Sequence, residues 1–197
     1  MKELSEHAAR EHAARVDWAT GVLVGAAVQE RVKTLRQLEA LFYDAASLRQ
    51  MDPDQVVYRV RWWEPVPEGT EGGLFWGTTA IEPGRVGDEY FMTHGHLHLR
   101  RNRAEIYSTV QGEGALLLAD AGGRIWMEPM APGSTHYVHA EVAHRVANVG
   151  QSTLTVVACW PSDAGHDYGT IVSKGFGARL LRRGGAPALL RDVAHAG

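Results

Sequence analysis

Between about residue 55 and residue 160 the chain alternates apolar and polar residues with a period of two, in short runs separated by glycine and proline turns. The runs cover 56–63, 74–81, 89–98, 104–110, 115–119, 124–127, 135–138, 144–148 and 154–160. Among the breaks are Glu71-Gly72-Gly73, Pro83-Gly84, Gly112-Glu113-Gly114, Asp120-Ala121-Gly122-Gly123 and Pro132-Gly133. Successive side chains of a strand face opposite sides, so each run has one buried and one solvated face. Many short strands joined by tight turns bury such faces as a barrel or sandwich. With 197 residues, 45% of them apolar and 22% charged, the chain suits one domain with a sizeable core.

The flanks read differently. Residues 3–15 are polar and alanine-rich, as in a solvated terminal helix or loose arm, and Asp17-Trp18-Ala19-Thr20-Gly21 is a turn before a short strand at Val22–Val24. Thr34-Leu35-Arg36-Gln37 is a capping box opening a helix in which Leu35, Leu38, Leu41 and Phe42 recur at helical spacing. Asp52-Pro53-Asp54 breaks it. The expected division of a single domain over 1–197 is a helical or extended arm (1–54), a β-barrel (55–177) and a weakly ordered tail (178–197) rich in Arg, Gly and Ala.

Composition narrows the partners. A formal charge of -3 recruits neither nucleic acid nor an anionic membrane surface. The lone Cys159 forbids an intrachain disulfide and fits a reducing compartment. No apolar stretch is long enough to span a bilayer, and the N-terminus lacks the apolar run of a signal peptide. The expected location is the cytoplasm.

Histidine is over-represented: there are ten, and six lie between His94 and His144. His96 and His98, two apart on a strand, face one side; Glu105 opens the next strand and reaches back; His144 belongs to a separate hairpin. Three imidazoles and a carboxylate make an N3O donor set suited to one divalent Fe, Mn, Co, Ni or Zn, with positions left open if the ion is octahedral. His94 competes as a member of the chelating pair, and His136 and His139 compete with His144. Spacing to Glu105 favours the later pair, and the downstream Asn148 favours His144. A strand His-x-His alone is a weak signal; the glutamate and the distant histidine strengthen it.

At these residues the chain resembles a cupin, and within the cupins the cupin-type glucose-6-phosphate isomerases. The matching stretches are VGDEYFMTHGHLH (86–98), RAEIY (103–107), Gly112 with Gly114, MEPMAPG (127–133), AHRVANVG (143–150) and DAGHDYGTI (163–171) with Gly175-Phe176. The resemblance covers roughly 17–177. It implies an all-β cupin jelly-roll barrel with N-terminal helical segments, metal ligands His96, His98, Glu105 and His144, and Fe(II) as the favoured ion. It also implies a sugar-phosphate pocket from Tyr58, Thr79, Thr93, the Gly95 backbone, Tyr107, His166 and Tyr168. A homodimer is implied, with the N-terminal segment swapped onto a neighbour's sheet. In departures from the branch, His94 stands where Lys is frequent, His139-Ala140 where a proline pair is common, and Trp160 where a tyrosine hydroxyl is expected.

The implied reaction interconverts glucose 6-phosphate and fructose 6-phosphate by moving hydrogen between C1 and C2 of the opened sugar. Glu105 is the nearest carboxylate, although a metal ligand is a poor free base. Tyr107, His166 and Tyr168 are candidates for ring opening and proton relay. No phosphate-binding Gly-x-x-x-x-Gly-Lys motif occurs, so Thr79, Thr93 and the Gly95 N–H are the expected phosphate donors. The alternatives are a cupin Fe(II) oxygenase using the same donor set, and a non-catalytic metal- or sugar-binding cupin.

Overall fold

The computed structural model describes residues 14–192. The expected polar helix or arm over 3–15 therefore lies almost wholly outside the described residues. β1 (Arg15–Asp17) and β2 (Val22–Val24) form a hairpin around the expected turn, with Gly21 at a φ of 70° and its N–H donating to the Asp17 carbonyl at 2.6 Å. A side chain at position 21 would collide with Thr155. β3 (Val28–Thr34) follows, then α1 (Leu35–Leu38), a 3-10 turn over Glu39–Leu41, and α2 (Ala45–Leu48). The capping contact at Thr34 is present, its N–H donating to Gln37 Oε1 at 3.1 Å. The helix it opens is shorter than the apolar spacing predicts. At Phe42 the backbone becomes extended, and the Phe42 ring packs on Phe91 at 6.3 Å between centroids. Tertiary packing overrides local helical preference here.

The remaining elements are β4 (Val56–Trp63), β5 (Leu74–Ile81), β6 (Arg85–Val86), β7 (Glu89–Tyr90), β8 (Leu97–His98), β9 (Glu105–Gln111), β10 (Gly114–Ala119), β11 (Ile125–Met130), β12 (Thr135–Val138), β13 (Ala143–Asn148), β14 (Leu154–Pro161), β15 (His166–Asp167), α3 (Gly169–Lys174), β16 (Ala178–Arg183) and β17 (Ala186–Arg191). One wall is an antiparallel sheet ordered β12-β9-β14-β5-β4-β3. The facing wall joins β11-β10-β13 to the 92–98 segment through bridges at Met92–Ala147 and His96–His144, with β8-β15 beyond. A third sheet, β17-β16-β7-β6, extends this wall. From β9 onward the chain crosses repeatedly between walls, with β10 and β11 in one, β12 back beside β9, β13 across again and β14 back. This is the winding of a jelly roll. Phe91, Ile81, Leu116, Leu118, Val146, Leu154 and Val156 are buried between the walls.

Two expectations are corrected. The run 89–98 is not one strand: it breaks into β7, isolated bridges and β8. Gly95 turns the chain there at a φ of 77°, a conformation that disfavours any residue with a Cβ, and a Cβ would lie 2.9 Å from Arg145 Nε. The expectation of a weakly ordered tail over 178–197 fails for 178–191. Those residues form the β16–β17 hairpin, with Leu180 and Leu181 buried and Leu181 opposite Glu89 of β7. Leu180→Ala should therefore lower the unfolding free energy by about 2–5 kcal/mol, as for a core leucine. Urea denaturation of both proteins checks this; a midpoint equal to that of the parent would mean the hairpin adds nothing to the core.

Candidate active site

The four side chains singled out by spacing meet between the walls. One donor atom each from His96, His98, Glu105 and His144 lies within 4.8 Å of the others. Glu105 Oε2 is 3.0 Å from His144 Nε2 and 3.3 Å from His98 Nε2. The far side of each of these two rings is fixed by a backbone carbonyl: His98 Nδ1 lies 2.9 Å from the Arg103 oxygen, and His144 Nδ1 3.2 Å from the Val142 oxygen. A carbonyl only accepts, so each Nδ1 carries a hydrogen, and in the neutral ring Nε2 presents a lone pair to the centre. His96 is tied by reciprocal backbone bonds to His144, at 3.1 and 3.0 Å. Its buried Nε2 has no partner among the described residues. Several lone pairs and a carboxylate converging without a shared hydrogen fit a cation, and these residues could hold one divalent metal.

Electrostatics agree. Burial would raise the Glu105 carboxyl, but the His144 and His98 contacts outweigh it and hold the group far below the usual carboxylate range. Burial, reinforced by His144, drives His96 well down, so this ring is neutral and free to ligate. Burial also lowers His98, but Glu105 more than offsets it and the net shift is upward.

A cavity of about 320 Å³ opens beside the cluster. Every residue expected to contact substrate lines it: Tyr58, Thr79, Thr93, Gly95, Tyr107, His166 and Tyr168. His166 and Tyr168 stack at 5.6 Å with an interplanar angle of 4°, and His166 lies 4.5 Å from the His96 ring. The Tyr107 phenol is pushed well above its ordinary value by burial and then by Glu105, so its hydroxyl keeps its proton beside that carboxylate. The competing histidines go elsewhere. His94 turns Nδ1 to the Gly95 carbonyl at 3.1 Å, and His136 bonds Glu128 at 2.7 Å and Ser134 at 2.9 Å. His139 is exposed beside Tyr137.

The sequence reading missed four charged residues on the cavity wall: Arg31, Lys33, Glu64 and Glu68. Arg31 and Lys33 lie in β3, opposite Val60 and Tyr58 of β4. Two cations thus share the cavity wall with the expected neutral donors Thr79, Thr93 and Gly95. Burial lowers His166; Glu105 and, more weakly, Glu68 work against that shift, and Glu68 is a carboxylate outside the metal cluster that sequence alone did not reveal.

The family model for glucose-6-phosphate isomerase (GPI) matches residues 32–188. The chain belongs to the glucose-6-phosphate isomerase family. A glucose-6-phosphate isomerase of Pyrococcus horikoshii is 40% identical over 173 residues, 87% of this chain and 89% of its own. That of Pyrococcus furiosus is 39% identical with the same coverage, and that of Thermococcus gammatolerans is 39% identical over 89% of this chain and 92% of its own. Among solved structures, an oxalate oxidase in complex with glycolate has a TM-score of 0.45 and 12% identity, covering 74% of this chain and 56% of its own. The isomerase resemblance carried by the 86–107 and 163–171 stretches is thus borne out. No helix among the described residues is long and apolar enough to cross a membrane.

In this isomerase the loop joining His98 to Glu105 is clamped. Arg103 donates to both Asp163 oxygens, at 2.8 and 2.7 Å, and Arg100 joins the same carboxylate. Asp163 immediately precedes the Ala164-Gly165-His166 turn, so one carboxylate fastens the metal loop to the His166 strand. The Arg103 bond, with Arg100 beside it, depresses the Asp163 carboxyl from 3.8 to about 2. A group depressed on folding contributes stability that is fully present above its unfolded value and is lost as pH falls through its folded one. Asp163→Asn should therefore be less resistant to urea than the parent at pH 7. The gap should persist down to about pH 4 and close as pH falls towards about 2. A gap independent of pH across that window would contradict the clamp.

Proposed function

We propose that this isomerase interconverts glucose 6-phosphate and fructose 6-phosphate at a single divalent metal held by His96, His98, Glu105 and His144, with Fe(II) as the resident ion. The observation that carries the metal assignment is the partnerless buried Nε2 of His96, aimed at the same point as the other three donors. When bound, the ion polarises the C1 and C2 oxygens of the opened sugar and stabilises the negative charge that develops there. The remaining roles fall to the chain's own side chains. His166, with Tyr168 stacked on it, is placed to move the ring-opening proton, and Glu68 steadies the positive charge that His166 takes up. Tyr107 orients the Glu105 carboxylate. The phosphate lies against Thr79, Thr93 and the Gly95 N–H, which makes no hydrogen bond among the described residues, with Arg31 and Lys33 supplying the countercharge.

The test is a coupled assay from fructose 6-phosphate. Chelated enzyme should be inactive, and one of Fe, Mn, Co, Ni or Zn in divalent form should restore turnover. His98→Ala should fail to retain stoichiometric metal by elemental analysis, whereas His94→Lys should retain it. Undiminished turnover after complete chelation would overturn the metal-dependent reading, and oxygen consumption with the sugar phosphate would favour the oxygenase.

The phosphate assignment has its own measurement. Arg31→Met, Lys33→Met and Thr79→Val should each weaken fructose 6-phosphate binding by about 1.5–3 kcal/mol, the worth of a hydrogen bond to a charged group. Metal content should not change. Unaltered KM in all three would place the phosphate at another part of the cavity.

A further inference from the structure

His144 and Val146 of β13 face the cavity, and Arg145 between them points through the wall to its outer side. There its guanidinium is buried at 4% exposure. One Nη donates to the His94 carbonyl at 2.8 Å and the other lies 3.2 Å from Met92 Sδ. The group sits 4.9 Å above the Phe176 ring, and its Nε has no partner. Among the described residues no carboxylate lies within ion-pair distance of it. Glu89 acts on it from farther away, already engaged by Arg179 and the Tyr43 N–H. A buried cation without a contacting anion is costly, and a methionine-sized apolar side chain would make a more stable wall. Stability does not explain it.

Its position does. The place a Cβ would take on Gly95 is 2.9 Å from Arg145 Nε, so the Gly95 backbone rests on the guanidinium with no side chain between them. The same guanidinium holds the His94 carbonyl outward, which turns the 93–96 segment towards the cavity. A guanidinium keeps its charge at neutral pH even when buried, and this one lies directly behind Gly95 and the His94 carbonyl, both on the cavity wall.

We infer that Arg145 is a positioning residue for an anionic substrate group: from behind the wall it fixes the turn that presents the Gly95 N–H and adds a positive charge that no substrate atom touches. The inference rests on the sugar-phosphate reading above and names a determinant of its specificity. It requires the paired Arg31 and Lys33 in front of the wall to be only part of the countercharge.

The experiment compares Arg145→Met and Arg145→Lys with the parent, all reconstituted with the same excess of metal, with the metal each retains then measured. Arg145→Met should raise KM for fructose 6-phosphate about tenfold to a hundredfold, the effect of one charge about 6–12 Å away at an effective dielectric of about 20. Turnover at saturation should stay within about threefold of the parent. Arg145→Lys keeps the charge but cannot reproduce the fork, and should recover most of the lost affinity. A merely structural arginine predicts instead that kcat and metal content fall together with affinity, and that Lys is no better than Met; that pattern overturns the inference, as does an unchanged KM. Calorimetry with 6-phosphogluconate reads the anion site without turnover. A parent that binds this probe but does not isomerise overturns the isomerase reading and leaves the Arg145 comparison intact. If Arg145→Met does not fold, Glu89→Gln decides: removing the opposing carboxylate should tighten 6-phosphogluconate binding severalfold, and unchanged or weaker binding counts against the field.

Discussion

The Glu105 carboxylate, sunk between two sheets and touched by two imidazoles, is the constraint around which the rest of the molecule is arranged. An ionised carboxylate removed from water is tolerated only when it is paired, and where the imidazoles turn lone pairs to it the partner they fit is a cation held among them. Pairing it here requires β9 to begin at Glu105, β13 to deliver His144 from the opposite wall, and the 99–104 loop to return His98 to within 3.3 Å. Each requirement is met by its own device. Two backbone carbonyls fix the His98 and His144 rings, and the Asp163 clamp fixes the loop. The cluster is therefore rigid before any ion arrives, as a metal site must be if it is to impose geometry rather than accept it.

Much of this was legible in the sequence. Period-two alternation survives in strands with one buried face, which is why β4, β5 and β12 fall where the pattern puts them. His96, His98 and Glu105 are close in the chain, so their convergence depends on local geometry. Choosing His144 over His136 was harder: both lie on strands of neighbouring hairpins, and only the register that sets His136 opposite Tyr107 and against Glu128 separates them. Arg31 and Lys33 carried no readable signal. Their place in the cavity depends on β3 pairing with β4 across an intervening helical stretch, a long-range contact that propensity does not encode. The C-terminal hairpin did carry a signal, a Gly184-Gly185 pair between two leucine-bearing segments, but arginines around it mask the alternation.

Trp160 shows how one departure from the family pattern is accommodated. Its indole lies over Gly77, where a Cβ would approach the ring to 2.9 Å, and meets Phe75 edge-on at 6.1 Å. A Cβ at that position of β5 would also lie 2.9 Å from the Arg61 carbonyl oxygen, so the glycine serves both the close approach of β4 and the indole on the cavity wall. The cavity wall thus carries Trp62, Phe75 and Trp160, with the Arg31 guanidinium 5.6 Å above the Trp62 ring.

The order of the donors along the chain bears on how the protein reaches this state. His96, His98 and Glu105 fall within one short segment, whereas His144 is some forty residues further on. Closing a short loop costs an unfolded chain little entropy, and the cost rises only slowly with length. A divalent ion present during folding can therefore gather the first three donors while the rest of the chain is still searching, and the capture of His144 then brings β13 towards β9 early. The ion would act as a tether for the crossing between walls, the slow long-range step of an all-β topology. The same early hold means that the ion also binds the unfolded chain, which reduces the equilibrium stability that its binding to the folded site adds.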